Sequence, residues 1–93
     1  MKQPLRAVEA KRLAKAILET GRVSYSEHAQ ARLKKHRMTT TDCENVLRGG
    51  AYQEAEWENG GWRHQVHTQK FVVVIEFVKE SNLLVITEWR RTS

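Results

Sequence analysis

The chain has 93 residues, which is enough for one hydrophobic core and too few for two. With 16 Lys and Arg against 11 Asp and Glu, its formal net charge of +5 favours a polyanionic partner, nucleic acid first among them. A single cysteine excludes a disulfide framework and a cysteine-based zinc site, and no apolar run approaches the roughly 20 residues of a membrane-spanning helix.

These limits predict one domain over residues 1–93, with an N-terminal helix in 1–21, a helical region in 22–50 and an antiparallel sheet in 51–91. The first residues lack the apolar stretch of a signal peptide, and a lone thiol suits a reducing compartment, so we expect a cytoplasmic protein. We expect no cofactor, no metal ion and no membrane partner.

Three helices are expected in the first half. Pro4 favours a helix start, an apolar stripe at helical spacing follows, and Gly21 is expected to end the helix. Capping boxes at Ser24–Glu27 and Thr41–Glu44 predict two further helices, the first running to about His36 and the second ending at Gly49-Gly50. The stripe of the first helix consists of Ala10, Leu13, Ala14 and Ile17.

The second half predicts four antiparallel strands joined by three turns. Asn59-Gly60 is the strongest turn signal, because a type I′ turn needs a positive φ at both positions. The other turns are expected at Thr68-Gln69 and within Lys79–Asn82, and a stretch near Val23 is a candidate edge strand. The resulting registers pair Glu58 with Gly61, Trp57 with Trp62, Glu56 with Arg63, Val66 with Phe71, and Val78 with Leu83.

Side chains alternate along a strand, so these registers sort the sheet into two faces. The prediction is an α+β fold in which two to three N-terminal helices pack on one face of a four-stranded antiparallel meander. The covered face is expected to carry Trp57, Trp62, His64, Val66, Phe71, Val73, Ile75, Phe77, Leu84 and Ile86. The other face, which we call the open face, is expected to carry Tyr52, Glu54, Glu56, Arg63, Gln65, His67, Lys70, Val72, Val74, Glu76, Val85, Thr87, Trp89 and Arg91.

The open face carries the residue types that metal-free RNA cleavage requires, namely a base, an acid and cations for the phosphorane. His67 or Glu54 could take the proton of the 2′-hydroxyl, and His67, Lys70 or Tyr52 could protonate the leaving oxygen. The candidate phosphate ligands are Arg63, Lys70 and Arg91, and the candidate stacking residues are Tyr52 and Trp89. The alternative is a solvated face on which Glu56 and Arg63 form an ordinary cross-strand ion pair.

His28 and Arg32 are four residues apart on a predicted helix and therefore share a face, where they could present a titratable ring and a fixed cation to one phosphate. The alternative is that His28 packs near the helix start and Arg32 contacts a carboxylate or a carbonyl. Cys43 is interpreted as a half-buried helix residue. His64 and His67 are expected on opposite faces, so they share no metal ion. A run of basic residues comprises Arg32, Lys34, Lys35, His36 and Arg37. It either contacts successive phosphates or is only the solvated end of a helix.

Residues 22–90 resemble a family of small uncharacterised bacterial domains of unknown function. The family signature is His-Ala-x-x-Arg-Met, then Arg-Gly-Ile-Ser, then an acidic helix ending in Leu-x-x-Gly. The corresponding stretch here is HAQARLKKHRMTTTDCENVLRGG, with Leu33 for the Met and Met38-Thr39 for Gly-Ile. The family is similar in layout to the RelE/ParE/MqsR group of toxin–antitoxin toxins, many of which are mRNA endonucleases that use no metal.

The resemblance implies a RelE-like toxin, a metal-independent mRNA endoribonuclease that acts on RNA or the ribosome and is neutralised by a cognate antitoxin. Only His28 and Arg32 are carried over by the family motif. The two alternatives are a non-catalytic module that binds nucleic acid or protein, and an interaction domain whose apolar open-face residues form a dimer interface or an antitoxin groove. We expect a monomer or a weak homodimer.

Overall fold

The computed structural model describes residues 1–92 and confirms the α+β class. Three helices and a mixed sheet of six strands make up the fold, and none of the helices within residues 1–92 is long and apolar enough to cross a membrane. The helices are α1 (Ala7–Thr20), α2 (Glu27–Lys35) and α3 (Thr40–Gly49). The strands are β1 (Arg22–Tyr25), β2 (Ala51–Tyr52), β3 (Glu56–Glu58), β4 (Gly61–His67), β5 (Phe71–Lys79) and β6 (Asn82–Arg90).

The sheet is not the purely antiparallel four-stranded meander that the sequence predicted. Its strand order is β1-β6-β5-β4-β2, and β3 pairs separately with β4. The stretch around Val23 forms β1, which runs parallel to β6 with Val23 opposite Leu83. The first predicted strand is divided into β2 and β3, because the chain leaves the ladder of β4 between them.

The β3–β4 hairpin has the turn and register that the sequence predicted. Asn59 and Gly60 have φ values of +51° and +82°, and Trp57 lies opposite Trp62. The hairpin extends beyond the helices, however, so the prediction that both tryptophans face the core is wrong for Trp57, whose exposed fraction is 61%. The two indoles contact each other edge to face, with 5.2 Å between ring centroids.

The helix starts lie elsewhere than the sequence predicted. Helix α2 is capped by Ser26, whose hydroxyl accepts a hydrogen bond from the Ala29 amide at 2.9 Å. The capping box of α3 is formed by Thr39 and Asp42. The box predicted at Ser24 fails because β1 continues to Tyr25, so Ser26 is the first residue that is free to adopt the N-cap conformation.

The core lies between the helices and one face of the sheet. On β4 and β5, Val66 pairs with Val73 instead of Phe71, a shift of two residues from the predicted register. Because a shift of two residues preserves the alternation of side chains, each residue still lies on its predicted face. On β6 a bulge at position 86 reverses the alternation, so Val85 faces the core and Ile86 does not, contrary to the prediction. The buried apolar residues are Ala10, Ala14, Ile17, Ala29, Met38, Cys43, Val46, Leu47, Val66, Val73, Ile75, Phe77, Leu83 and Val85.

Candidate functional site

The open face is a regular grid of side chains on β4, β5 and β6. Because the strands are paired residue by residue, cross-strand neighbours form rows across the face. The first row is His67, Val72 and Trp89. The second is Gln65, Val74 and Thr87, and the third is Glu56, Arg63, Glu76 and Leu84.

His67 and Trp89 stand at the two ends of the first row. They are two strands apart, a separation of about 10 Å at the usual strand spacing. The Nε2 atom of His67 lies 2.9 Å from Oε1 of Gln65. With this amide orientation Nε2 carries the proton, which leaves Nδ1 as the nitrogen that can accept one. Val72 is buried between the two rings.

Lys70 and Arg91 add positive charge at the same end of the sheet. Lys70 is exposed in the β4–β5 turn, and its carbonyl accepts a hydrogen bond from the Arg91 amide at 2.7 Å. The Arg91 guanidinium donates to the Thr68 carbonyl at 2.9 Å. Lys70 and Arg91 are therefore paired through the backbone at the turn that follows His67, next to the end of the first row.

Arg63, in the third row, is not a free cation. Its Nε donates to Oε2 of Glu76 at 3.0 Å, and its Nη1 lies 3.7 Å from Oε1 of Glu58. Gly61 makes room for this arrangement, since a Cβ at that position would collide with the Glu76 carboxylate. Of the two interpretations of Arg63, the ion pair is observed, although the carboxylates that hold it are those of Glu76 and Glu58 rather than Glu56.

The second and third rows enclose a small pocket of about 140 Å³. The buried Val74 lies at the bottom of the pocket, and Trp89 lies on the side of the pocket that is nearest His67. Carboxylate, guanidinium, amide, hydroxyl and indole groups all border it. The lining residues are Glu56, Glu58, Arg63, Gln65, Val74, Thr87 and Trp89.

Tyr52 and Glu54 were predicted on the open face and do not lie there. Tyr52 pairs with Val66, one residue away from the predicted register, so its ring packs against the core. Its hydroxyl donates to the Leu47 carbonyl at 2.8 Å, and burial raises its pKa. Glu54 lies in the break between β2 and β3, where its carboxylate accepts a hydrogen bond from the Ala7 amide at the start of α1.

His28 and Arg32 share helix α2 but have different surroundings. His28 is exposed in the first turn, whereas Arg32 is partly buried against the edge of β6. The Nε of Arg32 donates to the Glu88 carbonyl at 3.3 Å, and its Nη2 lies 2.9 Å from Nε2 of His36. The structural alternative for Arg32, a contact with a carbonyl, is therefore observed.

Helix α2 and Arg90 surround His36 with positive charge. The Arg90 guanidinium donates to the carbonyls of His36 and Arg37, at 3.1 and 3.0 Å, and lies 4.9 Å from the centre of the Phe71 ring. Partial burial, Arg32, Lys35 and Arg90 lower the pKa of His36. A guanidinium only donates, so Nε2 of His36 accepts from Arg32 and the ring is neutral. Sequence reasoning found the basic run of α2 but missed Arg90, which only the fold brings to it.

Sequence reasoning also missed Glu88, a fully buried carboxylic acid on the core side of β6. Burial raises its pKa to about 7. Tyr25 and Cys43 lie close enough for its charge to raise their pKa values as well. Alternation along β6 places Glu88 on the core side, because its neighbours Thr87 and Trp89 lie on the open face, but nothing in the local sequence signals that a carboxylic acid is fully buried there.

Within residues 1–92, no group of three or more His, Cys, Asp or Glu side chains is arranged to hold a metal ion. Comparisons with protein-family models, with curated proteins and with solved structures found no match to this chain.

Proposed function

We propose that this protein is a RelE-like toxin that cleaves mRNA without a metal ion, through the first row of the open face. The observation that carries the proposal is the placement of the partly exposed His67 and Trp89 on one row of the open face, with the Lys70–Arg91 pair at the turn that follows His67. An acid–base group, a stacking surface and phosphate-binding cations then lie within the span of one or two nucleotides.

The proposed reaction is transesterification within the RNA chain. Nδ1 of His67 takes the proton of a ribose 2′-hydroxyl, whose oxygen attacks the adjacent phosphorus. The bond from phosphorus to the 5′-oxygen breaks, and the Lys70 ammonium gives that oxygen a proton. Arg91 stabilises the charge on the phosphorane, and Trp89 stacks on a base. The products are a 2′,3′-cyclic phosphate and a 5′-hydroxyl.

The layout of the fold supports a RelE-like assignment. Helices pack on one face of an antiparallel β3–β6 meander and leave the opposite face free for RNA or the ribosome. In this proposal, a cognate antitoxin blocks that face or distorts it.

The first prediction is that His67→Ala lowers cleavage of RNA by purified protein at least about 100-fold and relieves growth arrest on expression. Lys70→Ala should reduce cleavage as well, whereas Lys15→Ala on the exposed surface of α1 serves as the matched control with unchanged activity. A His28→Ala variant tests whether cleavage depends on His28 instead of His67. Loss of cleavage in His28→Ala but not in His67→Ala would move the reaction to α2 and overturn the proposed site.

A second candidate function is a non-catalytic binding module. The observation that favours it is the engagement of Arg63 by two carboxylates, which gives the third row mixed charge suited to protein contacts. Intact RNA after prolonged incubation with folded protein, together with RNA retention that declines steeply with salt, would establish this function instead.

A further inference from the structure

The pocket of the second and third rows is a site that RNA cleavage by itself does not require. It is semi-enclosed, and at about 140 Å³ it is far smaller than the roughly 300–1,000 Å³ typical of pockets for drug-sized ligands. A planar ring system of one nucleobase is the kind of ligand that such a volume admits. Trp89 supplies an aromatic surface on one side of the pocket, and the buried Val74 supplies an apolar surface at its bottom.

Glu56 is a carboxylate at the border of the pocket that has no ion pair within residues 1–92. It is exposed, it borders the pocket, and within residues 1–92 no Lys, Arg or His nitrogen lies within 4.0 Å of its carboxylate. Glu58 and Glu76, by contrast, are engaged with Arg63. An ionised carboxylate is an acceptor only, and it binds best to two parallel N–H donors.

Among the four RNA bases, guanine alone presents two adjacent N–H donors, N1–H and the 2-amino group, on its Watson–Crick edge. Adenine, cytosine and uracil each place an acceptor next to their single donor group, and a carboxylate repels that acceptor. Guanine also carries the O6 acceptor beside these donors. Arg63 uses Nε and Nη1 towards its two carboxylates, and no acceptor within residues 1–92 takes the N–H groups of Nη2, which can therefore donate to O6.

We propose that this pocket binds a single guanine base of RNA, with Glu56 accepting from N1–H and the 2-amino group, Arg63 donating to O6 and Trp89 stacking on the ring. The proposal takes its substrate class from the proposed ribonuclease function and adds the base preference. Gln65 links the pocket to His67 through the 2.9 Å contact of their side chains.

The position of the pocket also defines the cleaved bond. The second row is two residues from the first along β4, a distance of about 7 Å. A similar distance separates the edge of a base from the ribose of the same nucleotide. A guanine in the pocket therefore places its 2′-hydroxyl next to His67, and the phosphate on the 3′ side of that guanine is the one that is broken.

The experiment is calorimetric titration of the full chain with the 3′-monophosphates of guanosine, adenosine, cytidine and uridine. None of these ligands contains the bond that is cleaved, so the measurement is independent of catalysis. We expect guanosine 3′-monophosphate to bind about tenfold or more tightly than the other three. Glu56→Gln should abolish that preference, because an amide cannot accept both N–H groups. Glu19→Gln on the exposed surface of α1 is the matched control and should leave it unchanged.

Equal affinity for the four nucleotides, no binding of any, or a guanine preference that survives Glu56→Gln would each overturn the guanine site. Failure of the guanine-site proposal can be distinguished from failure of the ribonuclease proposal. Guanine-selective binding without RNA cleavage would retain the pocket and reject the nuclease. Cleavage that ignores guanine would retain the nuclease and reject the pocket.

Discussion

At the scale of single residues, two ionisable side chains are buried in the small core of this protein. Neither His64 nor Glu88 has a hydrogen bond to its side-chain polar atoms within the described chain, and both are fully buried. Burial lowers the pKa of His64 and raises that of Glu88 to about 7. Both groups are therefore favoured in their neutral forms by the fold.

The sign of the Glu88 contribution follows from the raised pKa. The folded protein binds the proton of the Glu88 carboxyl group more tightly than the unfolded chain does. The resulting stabilisation of the folded state is therefore fully present below the usual pKa of 4.5. It is lost as the pH rises through about 7. The shift corresponds to about 3 kcal/mol between those two limits. His64 acts in the opposite direction, since its lowered pKa makes stability fall as the pH drops below 6.5.

We predict that Glu88→Gln makes the protein more stable than the wild type at pH 8, by about 1–3 kcal/mol, and leaves stability nearly unchanged at pH 5. The reason is that glutamine matches the neutral acid and never acquires its charge. Urea unfolding at pH 5, 6, 7 and 8 measures the difference, and His64 cancels because it is present in both proteins. A difference between the two proteins that does not vary with pH would contradict an ionising Glu88; Glu19→Gln is the exposed control.

At the scale of elements, α2 takes the place of a neighbouring strand along the outer half of β6. Strand β1 ends opposite Val85, and beyond that point no strand of the described residues 1–92 pairs with this edge of β6. Ser26 donates to the Ile86 carbonyl, and Arg32 donates to the Glu88 carbonyl. Unpaired edge groups favour association with other chains, so these contacts protect the sheet as well as hold the helix.

This arrangement predicts different effects for the two residues of the family motif. Arg32→Ala should lower the free energy of unfolding by about 1–3 kcal/mol, because the Glu88 carbonyl and His36 lose their partner. His28→Ala is the matched control, since an exposed substitution should change stability by no more than about 0.5 kcal/mol. Urea midpoints provide the comparison. An Arg32→Ala protein as stable as the wild type but inactive on RNA would show that Arg32 binds the substrate instead.

At the scale of the whole molecule, the open face is divided electrostatically. Three glutamates gather around Arg63 at the hairpin end, whereas Lys70 and Arg91 lie at the opposite end. The net charge of +5 is therefore not spread evenly over the surface that we propose for RNA. A phosphate backbone is attracted to the Lys70 end, and base edges with N–H donors are attracted to the glutamate end.

We predict that the combined Lys70→Gln and Arg91→Gln variant reduces the slope of log affinity against log salt concentration by about 1.4, as expected for two lost phosphate contacts on single-stranded RNA. Binding is measured in a His67→Ala background so that the RNA remains intact. The matched control, Arg12→Gln with Lys15→Gln, removes the same charge from the exposed side of α1. Equal loss of slope in both pairs would indicate that net charge alone attracts RNA.

Much of the site could be predicted because it rests on local chemistry. Asn59-Gly60 defines its own turn through backbone conformation, and that turn fixes Arg63 on the open face. From there the two-residue period of β4 and β5 places His67 correctly, even though the predicted β4–β5 pairing is displaced by two residues. The first helix followed from apolar periodicity and the other two from their capping signals, although the first residues of the helices were predicted incorrectly.

The sequence by itself therefore determined the α+β class, the hairpin and the face of the sheet on which Arg63, Gln65 and His67 lie, because each depends on residues that are neighbours along the chain. Tertiary structure decided the side of the sheet on which Tyr52 and Val85 lie, since one break and one bulge each shift the alternation by a single residue. It also decided that Arg32 contacts β6 and that β1 runs parallel to that strand. These outcomes depend on contacts between residues some 60 positions apart, which no local pattern encodes.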